Sequence, residues 1–313
     1  MPAISASAHA AVAASAPATL AFELPAQTGI IEGLAFRPST GEFFFGDVHH
    51  RCVWRRDRTG NLTRFSPPGD VLYGVFGLAI DGRRQLLWAA TSLLPETAGF
   101  ARADKGRCAL VALDLSSGQL THRFPLAPDA RDHVLGDLLL APDGTVYVTD
   151  SAAPVVWFVA PGSDHLAPFV ESASFRSLQG LALVAGGRKL LVSDYAHGLF
   201  VIDLATREVH ALAAPSGTDL RGLDGLVASD NAIFSVYNAR DPNTVLRLTL
   251  SPDADAVTGM ERISPSAPEF ADLTLITRAD GRPHVIANSG WSLAHPDRSP
   301  DVPAHAVRIF SLP

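Results

Sequence analysis

Glu32, Gln179 and Asp224 hold the same place in three copies of a short motif, IEGLAF, QGLALVAGG and DGLVASD, and each is followed by glycine. Two carboxylates and an amide oxygen brought to one point and taken out of water leave an uncompensated charge unless something positive sits between them. The chemistry such a trio offers is a divalent cation held by oxygen. Calcium is the usual occupant, with Zn2+, Mg2+ or Mn2+ as other options. Asp137, one residue past the mark in GDLLLAPDG, and Asp272, one past it in ADLTL, bring further carboxylates. An aspartate at the start of a strand also serves as a turn former that accepts local backbone amides, a role for which glutamate is poorly suited.

The elements that must position these groups are legible as a repeat. Besides the three motifs, FGLAI at Phe76, GDLLL at Gly136 and ADLTL at Ala271 restate the pattern, which recurs about every 45 residues with one longer step, a period of propeller blades. Each copy reads as strand, turn, strand. LLLAPDGTVYVTD shows this most plainly, its PDG supplying the turn. Third and fourth strands follow as CALVALDL and LTHRF, VVWFVAP and LAPFV, GLFVIDL and EVHAL. Four antiparallel strands per unit and six units predict an all-β, six-bladed β-propeller. The last repeat has only three strands, ADLTLI, PHVIAN and AVRIFSLP, so LAFELPA near Thr19 is expected to supply the fourth and close the ring.

In a propeller the first strand of every blade lines the central channel, so the six marks converge on the axis. The second strand returns antiparallel beside the first. Its end therefore adds a ring of polar residues, Asp47, Thr91, Asp150, Asp194, Asn238 and Asn288, with His49, His50, Tyr195 and Trp291 in the loops that follow. One face of the disc is expected to be polar and acidic, and to be where a ligand enters. Capping of the next turn is the structural alternative for each member of that ring.

Composition fits a single large domain: 313 residues, 47% of them hydrophobic and 18% charged. A net charge of −7 and no Lys/Arg cluster beyond Arg56 to Arg58 argue against a nucleic-acid partner. No apolar stretch approaches the roughly 20 residues of a membrane helix. Cys52 and Cys108 lack metal-ligand spacing and read as buried apolar residues. Residues 1–18 form an Ala/Ser-rich tail, or the cleavage end of a signal peptide that would place residues 19–313 in the periplasm or outside the cell; a cytoplasmic protein with a disordered tail is the alternative.

With Glu32 in IEGLAF, Gln179-Gly in SLQGLALVAGGRKLLVSDY and Asp224-Gly in LDGLVASDNAIFSVYN, the chain resembles the regucalcin (senescence marker protein) and gluconolactonase family of six-bladed propellers, from about residue 19 onward. In that family a first-blade Glu, an Asn-Gly of a later blade and an Asp-Gly of the next hold a divalent metal. The resemblance therefore implies Glu32, Gln179 and Asp224 as ligands, with Gln179 where the family has Asn. Gly136 stands where the family has a substrate-contacting Asn, leaving Asp137 as the polar group of that pair. The implied activity is hydrolysis of a small-molecule lactone or related ester, with Asp224 as general base and Asp137 in reserve. Phe76, His49, Tyr195, Asn238 and Asn288 would contact the substrate, and His50 is placed like His49.

A serine nucleophile on a GxSxG elbow, a phosphate loop, HExxH and a dinucleotide fingerprint are absent from the sequence. Two readings compete with the hydrolase. One is a non-enzymatic propeller that binds ligands or proteins, and the other is a metal-free propeller resembling strictosidine synthase.

Overall fold

The computed structural model describes residues 17–313 apart from 70, 128, 230, 231, 264–269, 296 and 298–300. Six four-stranded antiparallel sheets follow one another around an axis, each pairing its strands in chain order except the last. The inner strands are Ile31–Arg37, Gly74–Asp81, Leu135–Leu140, Leu178–Val184, Leu223–Ser229 and Ile276–Ala279. Their hairpin partners are Glu42–Asp47, Leu86–Ser92, Val146–Asp150, Lys189–Asp194, Ala232–Tyr237 and Arg282–Ile286. The last sheet is completed by Thr19–Leu24, which pairs with Val307–Ser311 in a register running from Thr19 opposite Ser311 to Leu24 opposite Val307. The expected closure is therefore the observed one.

Six apolar clusters hold the ring, each built mainly from two adjacent blades. Phe44 and Val53 of the first blade pack with Leu87, Val111 and Leu113 of the second, for example. Because both faces of every sheet are covered, most strands read as continuous apolar runs rather than alternating ones.

The repeated motif has a backbone meaning. In five inner strands the pairing register slips at the mark, between Ile31 and Gly33, Val75 and Leu78, Leu135 and Leu138, Leu178 and Leu181, and Leu223 and Leu226. Such bulges re-aim the side chain they carry. The glycine after the mark lets the next blade approach. A Cβ on Gly33 would lie 2.0 Å from the carbonyl oxygen of Phe76, and one on Gly180 would lie 2.4 Å from the amide nitrogen of Leu226. Hydroxyls of the second strands stitch these bulges to the neighbouring blade: Thr149 Oγ1 donates to the carbonyl of Gln179 and Ser193 Oγ to that of Asp224, both at 2.7 Å.

The sixth inner strand is shorter than ADLTLI suggested. It begins at Ile276, and upstream Asp272 forms only an isolated bridge with Asn288. Residues 1–16 lie outside the described residues, and with them nearly all of the tail or signal segment. Among the described residues no helix is long and apolar enough to cross a membrane. Cys52 and Cys108 are buried and unpaired, and burial pushes the Cys108 thiol up to about 12.

Candidate axial site

On the face where the inner strands begin, a cavity of about 370 Å3 lies on the axis, lined among others by Glu32, Tyr195, Asp224, Asn238, Thr274 and Trp291. The bulges at Glu32 and Asp224 turn both carboxylates into it. Glu32 is 9% exposed and Asp224 8%, so both are almost out of water. Glu32 Oε2 accepts the Trp291 indole N–H at 2.5 Å. Asn238 Nδ2 donates to Asp224 Oδ2 at 2.8 Å and to the carbonyl of Leu273 at 2.9 Å.

These few donors do not offset the burial. Burial first, then the charges of Asp224, Asp137 and Asp272, hold the Glu32 carboxyl well above the usual carboxylate range against the pull of Trp291. Burial raises Asp224 to about 7 in spite of Asn238 and the Gly225 amide. Burial and the Asp224 charge also raise the Tyr195 phenol. Four buried side-chain polar atoms lack a partner among the described residues, and two of them, Asn238 Oδ1 and Thr274 Oγ1, belong to this cavity's lining. The cavity thus gathers two strained carboxylates and two orphaned oxygens, with no cation among its lining residues.

Of the residues singled out in the sequence, Glu32, Asp224, Asp272, Asn238, Tyr195 and Trp291 line this cavity, while Gln179, Phe76, Asp137, His49, His50 and Asn288 do not. Gln179 does not line the cavity; its bulge turns the side chain back along its own blade, where Nε2 donates to Ser177 Oγ at 3.2 Å. The amide side chains that line the cavity are instead Asn238, from the end of a second strand, and Asn243. Phe76 stands behind Trp291, their ring centroids 6.2 Å apart, and is not itself part of the wall. Asp137 lies further down the axis. Its Oδ1 accepts the Leu138 amide at 2.8 Å, and burial raises its carboxyl to about 7.

The two histidines are not free at the mouth. His49 is buried, with Nδ1 2.7 Å from the Glu96 carbonyl, and His50 Nδ1 lies 2.9 Å from Asp47 Oδ2. Asn288 clasps the last blade, donating to the Ala306 carbonyl and accepting the Arg308 amide. Asp272 takes the turn role: its Oδ2 accepts Ser289 Oγ and the amides of Gly290 and Ser292, fixing the loop that carries Trp291. Trp291 and Thr274 were not assigned a role from sequence, since neither falls on a register mark. The one signal was the place of Trp291 in a loop next to the polar ring.

Could the residues hold a divalent cation? Among the described residues no three His, Cys, Asp or Glu side chains gather as a ligand set. The cavity offers the carboxylates of Glu32 and Asp224, that of Asp272 with one oxygen already taken by the Trp291 loop, the amides of Asn238 and Asn243 and the hydroxyls of Thr274 and Tyr195 instead. An all-oxygen set of this kind suits a hard cation, and the orphaned Asn238 Oδ1 is a donor that the protein itself leaves unused.

No protein-family model matches the chain, and no curated protein matches it in sequence. Among solved structures it is similar to a gluconolactonase of Xanthomonas campestris, at 17% identity over 98% of this chain and 94% of that one, with a TM-score of 0.62. A glucose-dehydrogenase-like oxidoreductase of Thermus thermophilus is similar at 18% identity over 95% and 100% of the two chains, with a TM-score of 0.64. The PQQ-bound aldose sugar dehydrogenase of Streptomyces coelicolor is similar at 16% identity over 94% and 97%, with a TM-score of 0.62. At these identities the likeness shows the fold. The chain is a six-bladed β-propeller, an architecture these neighbours use for different chemistries.

Proposed function

We propose that the axial cavity is the active site of a divalent-metal-dependent hydrolase of the gluconolactonase-like type, acting on a lactone or related ester. The observation that carries this reading is the buried pair Glu32 and Asp224 beside the orphaned oxygens of Asn238 and Thr274. A scaffold gains nothing from burying two repelling carboxylates, whereas a cation site needs them. Glu32, Asp224, Asn238 and Thr274 would hold the ion, calcium fitting the donor set best. When bound, it would supply Lewis-acid polarisation of the substrate carbonyl.

The chain's own groups do the rest. Trp291 fixes Glu32 and walls the cavity, so that a flat or ring-shaped substrate has a face to rest on. Asp224 takes the proton from the attacking water on the oxygen left free of the ion and returns it to the leaving oxygen. Likeness of fold to the Xanthomonas gluconolactonase supports this reading.

The test uses chelator-stripped and calcium-reloaded protein against a panel of lactones and esters. Turnover is expected only in the reloaded protein. Asp224→Ala should lower kcat by at least about 10²–10⁴-fold, the size of a lost general base. His49→Ala should leave kcat near the parent's, because that ring is committed to the Glu96 carbonyl. Turnover that survives both stripping and Asp224→Ala would contradict the proposal, and absence of turnover on every compound would favour a binding platform.

A further inference from the structure

The axis carries a second cavity, on the side of the ring opposite the acid pair, and the two share no lining residue. Its volume of about 640 Å3 is within the range of small-ligand pockets, roughly 300–1,000 Å3. Its wall includes one leucine from each blade, Leu34, Leu78, Leu138, Leu181, Leu226 and Leu275, all buried. In five blades this leucine stands two residues past the mark, so the same repeat that aims polar groups at one end of the axis builds an apolar ring below them.

Into that ring comes one carboxylate. Blade three reads Gly136-Asp137 where four other blades have glycine second. Its carboxylate receives the Leu138 amide at 2.8 Å and lies beside Gly77, whose missing Cβ would be 2.7 Å from Oδ1. Because Asp137 directly precedes the leucine of its blade, it lies at the deep end, next to the acid cavity. The other charged residue of the lining, Arg37, belongs to the mouth, where Glu42 at 3.4 Å and Gln85 at 2.8 Å hold it. Asp137 thus has the amides of Leu138 and Leu181 as partners while the lining's Arg37 is engaged at the mouth, and burial together with the charge of Asp224 raises its carboxyl.

We infer that this lower cavity is a second ligand site, one that takes a primary alkylammonium, with the chain against the six leucines and the ammonium group on Asp137. A fatty carboxylate of the same shape would bring a further acid against Asp137, with the acid pair behind it. A neutral alcohol would forgo a charge-assisted contact with Asp137, and a divalent ion would find a single carboxylate. From Leu34 to Arg37 the strand spans about 10 Å at roughly 3.3 Å per residue, which sets the chain at about eight carbons. The case for an alkylammonium site here does not rest on hydrolysis at the acid pair.

The test is calorimetric titration of the full chain with n-octylammonium, 1-octanol and octanoate. The parent should bind octylammonium about tenfold more tightly than octanol, a charge-assisted contact, and should bind octanoate least. Asp137→Asn, close to isosteric, should bind the amine and the alcohol equally. Val227→Trp, which fills the cavity from a partly exposed lining position, should bind neither while melting as a folded protein. Equal binding of amine and alcohol by the parent, a preference that survives Asp137→Asn, or amine binding undisturbed by Val227→Trp would overturn the inference. Since the readout is heat of binding, its failure leaves the lactone assay untouched.

Discussion

Asp150 and Asp224 are buried aspartates of the same face of the ring, and their surroundings are opposite. Asp150 receives five donors: the amides of Val134, Ala152 and Ala153, His133 Nδ1 and the Trp157 indole. Asp194 receives four amides, from Arg176, Ser177, Ala196 and His197. Asp47 receives those of Gly29 and His50, the His50 ring and the Trp54 indole. Burial pushes the Asp47 carboxyl up, but the His50 and Trp54 contacts outweigh it and leave the group below its ordinary value. Asp224 has only Asn238 and one amide, and it ends at about 7. At the blade ends the cost of burial is met locally, so the residue is a staple for the turn. On the axis that cost is left standing, and on this difference the proposed cation site rests.

The contrast between staple and axial acid is at greatest risk in a staple variant. Asp150→Ala would strand five donors in a buried turn and should cost about 3–5 kcal/mol, whereas Asp224→Ala in cation-free protein should cost far less. Denaturant unfolding of both variants beside the parent checks the order, and a reversed order would remove the distinction.

The two kinds of aspartate should also differ in pH dependence. Asp224 titrates at about 7 in the folded chain against an ordinary 3.8, so the native state holds the extra proton between those values. Its contribution to stability is fully present below the ordinary value and is lost as the pH rises through about 7. For Asp47, whose carboxyl is lowered, stability is present above the ordinary value and lost as the pH falls. In chelator-treated protein Asp224→Asn should therefore remove roughly 2–4 kcal/mol of the decline between about pH 4 and 8. Unfolding curves at several pH values measure that slope.

Trp291→Phe should give the smallest change in stability, within about 1 kcal/mol. It deletes the donor that lowers Glu32, so the proton competes better for that carboxylate and calcium affinity near neutral pH should fall by on the order of tenfold. Calorimetric titration with calcium reads it directly.

Much of this was legible beforehand because a repeat of strand, turn and strand fixes blade number, and a three-strand final unit needs a fourth from the other end. The marks also pointed to Glu32 and Asp224. What a residue string does not carry is the direction that a bulge gives each side chain. Gln179 occupies the same mark as Asp224 and turns to Ser177. Asn238 occupies the same ring position as Asp150 and Asp194 and turns to the axis. Both positions are polar in either case, so identity alone does not separate a staple from a ligand. Trp291 is brought to Glu32 by a loop that Asp272 holds, a contact across 259 positions of chain that no local pattern announces.

The most direct measurement is the melting temperature of chelator-stripped parent, Asp224→Ala and Asp150→Asn as calcium is added. An ion bound to the native chain at a hundred times its Kd would add about 2.7 kcal/mol. The parent should melt higher with calcium, Asp150→Asn should start lower and still respond, and Asp224→Ala should not respond. An equal rise in the parent and Asp224→Ala, or none in the parent, would contradict a cation site between Glu32 and Asp224.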